Sequence, residues 1–128
     1  MSSEQLMHYE RKIAFEMDSW DLFFALANGE ALTIVDSRSP AAFTSERIPG
    51  AINLPFPDIS PTGTGHLDPN RIYVCYCDGI GSSGSTKVAV RLMSLGFSVR
   101  ELIGGLDWWK REGYGTEVSD DQSSAGAA

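Results

Sequence analysis

Cys77 closes an apolar run, and a loop of small residues follows it: Asp78, Gly79, Ile80, Gly81, Ser82, Ser83, Gly84 and Ser85. A thiol so placed has a definite chemistry open to it. Glycine at 79, 81 and 84 permits positive φ, so successive backbone N–H groups can turn inward into an anion-binding nest. The helical pattern that begins at Thr86 adds free N–H donors and roughly half a positive charge at its start. A cysteine at the mouth of such a nest is biased towards thiolate. A thiolate attacks sulfur, phosphorus or arsenic centres, and the nest then holds the anionic product. Asp78 works against this, because a neighbouring carboxylate disfavours a second negative charge. No arginine or lysine lies between Cys77 and Lys87, so anion binding falls to backbone amides and to the hydroxyls of Ser82, Ser83 and Ser85. A plainer reading makes Cys77 a buried strand residue and the loop a flexible turn.

Two other loop chemistries fail on the letters. A nucleotide phosphate loop needs G-x-x-x-x-G-K-[ST]. "GIGSSGST" supplies the glycines and Thr86 but has Ser85 where the lysine belongs. A cysteine phosphatase needs an arginine six residues after its cysteine to grip the phosphoryl group bidentately, and that position is Ser83. Cys75 lies two residues from Cys77 on the same predicted strand, so both thiols face one way. At a Cα spacing of about 6–7 Å they are poorly placed for a disulfide. Cys75 reads as core. His8 and His66 stand far from the cysteines in polar and loop segments, and no metal or other cofactor is expected.

The elements that must position this loop alternate between strand and helix. "KIAFEM" is a candidate first strand, and Asp18 or Ser19 caps the helix of "WDLFFALANG", whose Trp20, Phe23, Phe24 and Ala27 share a face. "ALTIVD" is a buried strand. Ser39 and Pro40 start a short helix. Residues 55–70 form a long Pro/Gly-rich loop. "RIYVCYC" lacks period-two alternation, as a central parallel strand buried on both faces should. A helix with Val88, Leu92 and Leu95, a strand "SVRELIG" and a short helix "LDWWKREG" complete the chain. This order predicts an α/β fold with a parallel sheet, whose ligands bind beyond the carboxyl ends of the strands. Asp36 and Arg38 fall at that edge. They read either as a salt bridge fixing a turn or as a source of positive charge for the site.

The 128 residues suit one domain, and 42% hydrophobic content supports a core. Residues 1–11 are expected to be flexible, 12–117 to form the domain and 118–128 to be a disordered tail. A net charge of −7 without a basic stripe argues against nucleic acid and anionic membranes as partners. With no signal-like or membrane-length apolar run, a soluble, cytoplasmic protein is expected. Monomer and homodimer are both compatible with the composition.

"IVDSRSPAAFTSERIPGAINLP", "YVCYC", the glycine loop and "VAVRLMSLGFSVRELIGGLDWWKREGY" together resemble a single-domain rhodanese-like sulfurtransferase over roughly residues 15–117. Trp109 fills the tryptophan position of that pattern. The resemblance implies a five-stranded, mostly parallel sheet with helices on both faces. It implies that Cys77 accepts sulfane sulfur from a small sulfur-containing anion such as thiosulfate, or from a persulfide, and passes it to cyanide or a thiol, including a protein thiol. It further implies a cradle over Asp78–Ser85. The chain departs from the family's C-x-x-x-x-R loop: this loop is two residues longer and puts Gly84 at the arginine position. Arg47 replaces the usual histidine before "IPGA". These departures leave a second reading, a non-catalytic module that binds a partner or senses an anion or oxidant.

Overall fold

The computed structural model describes residues 3–119. Its elements run α1 (Ser3–Phe15), β1 (Glu16–Met17), α2 (Ser19–Ala27), β2 (Leu32–Asp36), α3 (Pro40–Ser45), β3 (Ile52–Asn53), β4 (Ile72–Tyr76), α4 (Gly84–Ser94), β5 (Ser98–Leu102) and α5 (Gly105–Arg111). The five strands form one sheet in the order β1-β5-β4-β2-β3. All four pairings are parallel. Every strand therefore delivers its carboxyl end to the same edge, and the loops carrying Arg38 and Cys77 emerge side by side.

The central strand β4 shows why its sequence has no polar face. Val74 and Tyr76 pack on one side with Leu22 and Ala25 of α2 and Leu106 and Trp109 of α5. Tyr73 and Cys75 pack on the other with Val88, Ala89 and Leu92 of α4. Helices thus cover both faces, as a parallel sheet requires. The caps follow local chemistry. Asp18 accepts from the Asp21 amide while Asp21 accepts from the Asp18 amide, a reciprocal capping box. Ser39 accepts from the Ala42 amide, with Pro40 in the first turn.

Several expectations are corrected. The strand expected at "KIAFEM" is confined to Glu16–Met17, because Lys12–Phe15 complete α1. Residues 3–11 lie in that same helix, none of which is buried. The aromatic stripe of α2 is its outer face: Trp20, Phe23 and Phe24 are exposed, and Ser19, Leu22 and Ala25 are the buried positions. Phe23 stacks on Tyr114 at 4.5 Å, so part of that stripe is covered by chain returning after α5. The long loop at 55–70 packs on α4. Ile59 is buried against α4, and Arg91 donates to the Ile59 carbonyl at 3.2 Å. Of the tail expected at 118–128, residues 120–128 fall outside the described residues, while the Ser119 amide donates to the Thr44 carbonyl at 3.2 Å. Among the described residues no helix is long and apolar enough to cross a membrane.

Burial in β4 has a pH signature. Desolvation, helped by the charge of Glu101, pushes the Cys75 thiol from its ordinary 9.0 up to about 12. Desolvation and the hydrogen bond to Asp36 likewise raise the Tyr76 phenol above 10.0. Both groups ionise more readily once unfolded. The folded state then holds more protons above about pH 9, and stability present below that pH is lost as pH rises. Urea midpoints should fall between about pH 8 and about pH 11, and the fall should be shallower in Cys75→Ala. A midpoint that is flat over this range would contradict the burial of these groups.

Candidate active site

Cys77 follows β4 directly and is 8% exposed. Two backbone bonds fix it: the Leu106 amide donates to the Cys77 carbonyl at 3.0 Å and the Asp107 amide to the Asp78 carbonyl at 2.8 Å. The first turn of α5 is thus satisfied by the loop's own backbone. This contact explains the glycine pair at the start of α5. A Cβ on Gly105 would sit 2.3 Å from the Cys77 carbonyl oxygen and 2.9 Å from the Gly79 nitrogen, and its φ is +57°. Gly104 is left-handed at φ +85°. Residue-level reading missed both positions. Their signal was the doubled glycine itself, quoted only as part of a family pattern.

The thiol faces the opposite wall. Its Sγ lies 2.8 Å from Ser82 Oγ, and either atom can be the donor. Ser82 Oγ also accepts from the Gly84 amide at 3.4 Å, a long contact that links the hydroxyl to the start of α4. A Cβ on Gly84 would come within 2.9 Å of Sγ. The sulfur therefore rests against the first turn of α4. Ser83 occupies the N-cap there and provides no side-chain cap. Beyond the Gly84 amide, that leaves first-turn amides open to an outside acceptor.

The expected nest of left-handed glycines is not how the loop is built. Gly79, Gly81 and Gly84 all lack positive φ; the left-handed glycines near the site are Gly104 and Gly105. The loop glycines serve close approach instead, Gly84 to the sulfur and Gly79 to Asp107, whose Cβ would be 3.2 Å from an added methyl. Ser85 is also turned away from the cradle. Its hydroxyl donates to Glu101 Oε2 at 3.1 Å, and Thr86 donates to the same oxygen at 2.9 Å. Glu101 had no sequence signal, since it reads as one polar residue in a strand. Of the loop side chains, Ser82 meets the sulfur, Ile80 and Asp78 stand in solvent, and Ser83 is exposed at the cap.

Asp36 and Arg38 form a buried pair. Arg38 Nη2 meets Asp36 Oδ2 at 2.7 Å and Nε meets Oδ1 at 3.0 Å, while the Arg38 amide donates to Oδ1 at 2.9 Å. Tyr76 donates its hydroxyl to Asp36 Oδ2 at 2.5 Å, and Arg38 Nη2 also reaches the Glu46 carbonyl. Burial opposes the Arg38 charge, but the hydrogen bonds and charge of Asp36 outweigh it and hold the guanidinium above its ordinary value. Its one link to the loop is Nη1 to Asp78 Oδ1 at 3.5 Å. Arg38 thus anchors the loop's entry and carries little uncompensated charge to Cys77. Arg47 also faces elsewhere, bonded to Glu117 Oε1 at 3.2 Å, the Phe43 carbonyl at 3.1 Å and Ser119 Oγ at 2.9 Å. Trp109 is buried and donates to the Gly115 carbonyl at 2.8 Å, whereas Trp108 is exposed.

The arrangement of a cysteine just beyond the central strand of a parallel sheet has relatives. The model of the rhodanese-like domain family matches residues 20–112. The chain belongs to the rhodanese-like domain family. A protein of Allochromatium vinosum named sulfurtransferase is 33% identical over 99 residues, which span 77% of this chain and 90% of that one. The crystal structure of a Bacillus halodurans protein superposes with a TM-score of 0.86 at 32% identity, covering 95% of this chain and 97% of that one. A rhodanese-like domain protein of Staphylococcus aureus gives a TM-score of 0.70 at 26% identity, over 83% and 99% of the two chains. The rhodanese-like fold expected from the sequence is thus the observed one.

The buried pair yields a test. Asp36→Ala leaves the Arg38 charge buried and unmatched, so unfolding free energy should drop by about 3–5 kcal/mol. Urea denaturation measures it. A loss under about 1 kcal/mol would show that the pair is relieved by water and does not organise the edge.

Proposed function

We propose that this rhodanese-like domain is a sulfurtransferase that works through a persulfide on Cys77. The observation that carries the reading is the Cys77 sulfur lodged between the Ser82 hydroxyl and the first turn of α4, where Ser83 makes no side-chain cap. The name of the Allochromatium vinosum relative supports the same class of reaction. In the first half-reaction the Cys77 thiolate attacks the outer sulfur of a donor R–S–SH. A new S–S bond forms at Cys77 as the donor's S–S bond breaks, and the donor leaves as its thiolate. With thiosulfate the leaving group is sulfite. In the second half-reaction an acceptor thiolate or cyanide takes the outer sulfur and Cys77 returns as thiolate. Sulfane sulfur changes hands without oxidation or reduction, so no cofactor takes part. Cys77 and Ser82 act on the sulfur. The amides of α4 face the terminal sulfur's negative charge. Asp36 and Arg38 position the loop. A thiol that must be free at each turnover suits the reducing cytoplasm.

A second reading, a binding or sensing module without turnover, draws on Asp78, whose side chain is 74% exposed beside Cys77, and on Gly84 at the family's arginine position. One experiment separates the two. Incubate the protein with thiosulfate and with a small persulfide, read intact mass, then add cyanide and measure thiocyanate. The sulfurtransferase gains the mass of one sulfur and releases thiocyanate, and Cys77→Ser falls to background. Ser82→Ala loses a hydrogen bond to a charged sulfur, about 1.5–3 kcal/mol, so its rate should drop roughly 10- to 100-fold. No sulfur gained from any donor would leave the module reading standing.

A further inference from the structure

The loop after Cys77 is bordered by two hollows. Asp78, Gly79, Ile80, Gly81, Ser82 and Asp107 line one. The other shares Gly79, Ile80 and Ser82 and continues to Glu16, Glu101 and Ile103. Among the described residues the two linings contribute four carboxylates and neither lysine nor arginine. Glu16 is paired with Lys12 at 2.8 Å and Asp107 with Arg111 at 3.0 Å, both on the outer surface. Glu101 accepts only hydroxyls among its hydrogen bonds, from Ser85 and Thr86. Asp78 is the most open of the three that stand in ion pairs, and its single cationic neighbour among the described residues, Arg38, is already matched by Asp36. A negative field thus guards a sulfur that must meet its donor. Ile80, 79% exposed, stands between the two hollows as an apolar contact in the same approach.

A field of this sign repels thiosulfate and acidic thiol carriers as they approach, and attracts positive charge. We propose that Asp78 and Asp107 make the Cys77 mouth selective for sulfane sulfur carried as a persulfide on a cysteine flanked by lysine or arginine in a partner protein, and selective against anionic donors. The proposal rests on the persulfide chemistry above and uses the same step: Cys77 thiolate takes the outer sulfur, and the partner's cysteine leaves as thiolate. The positive flanks meet Asp78 and Asp107, and an apolar neighbour covers Ile80. Ser82 and the start of α4 act on the sulfur alone, so the two tasks fall to different residues.

Two peptide persulfides of equal length test this, one with lysines and one with glutamates flanking the cysteine, beside thiosulfate. The rate of sulfur gain at Cys77 is read by intact mass after quenching, with Cys77→Ser as control. The lysine peptide should react about tenfold faster than the glutamate peptide at low salt, and the gap should close to about twofold near 0.5 M salt, where screening is strong. In Asp78→Asn/Asp107→Asn the low-salt ratio should shrink several-fold, mainly because the glutamate peptide and thiosulfate speed up. Equal rates for the two peptides, or a faster glutamate peptide, with Cys77 still gaining sulfur, overturns the selectivity and leaves the sulfurtransferase intact. Sulfur gain from no donor overturns both. The salt dependence is measured on the unaltered protein, so the outcome does not hang on how the variant folds.

Discussion

A carboxylate with no exposure at the carboxyl end of β2 has to be matched, and the active edge is arranged around that match. Asp36 takes hydrogen bonds from the Arg38 side chain, the Arg38 amide and the Tyr76 hydroxyl. Tyr76 is the last residue of β4, so the same carboxylate ties the neighbouring strand to its own. Its hydroxyl also accepts from the Ile48 amide at 3.2 Å, and Asn53 donates to the Asp36 and Arg38 carbonyls. A buried ion pair of this kind adds little net stability. Its value here is register: with β2, β3 and β4 held at one level, Cys77 leaves the sheet at a fixed height and direction.

From that height the chain meets two helix starts, and they are used differently. The amides of α5 are consumed by the carbonyls of Cys77 and Asp78, which makes them a clamp on the backbone. At the start of α4, Ser83 makes no side-chain cap and Ser82 Oγ takes only the Gly84 amide, and this first turn lies against the sulfur. One helix therefore sets where the thiol stands, and the other forms the wall it rests against. The hydroxyls divide likewise. Ser82 addresses Cys77, while Ser85 and Thr86 are held by Glu101 on β5.

Much of this was legible in the letters, for reasons that can be named. The continuous apolar run of β4 could only be a doubly covered strand, and it is central in the sheet. Ser39 with Pro40 is a local signal whose meaning does not depend on the rest of the fold, and of the two cap candidates Asp18 and Ser19 the cap is Asp18. Cys77 was legible because a strand end, small residues and a helix start coincide there. What was not legible depends on contacts across the fold. Two residues of β1 pair with β5 because α1 delivers them there, and no run that short announces itself. Small residues were read as torsional freedom, yet at Gly79 and Gly84 they provide clearance. Sequence does not say which neighbour demands the missing side chain. Ser85 looked like Ser82, and only the position of Glu101 separates them.

The clearance at Gly84 also bears on how loops of this kind change over generations. The family's shorter loop carries arginine where this chain has Gly84, but here the sulfur occupies the space into which any side chain would first project. Replacing the glycine alone would crowd the Cys77 sulfur, and shortening the loop alone would remove the hydroxyl that meets it or the turn that presents it. The two loop types are therefore separated by a step in which length and residue must change together.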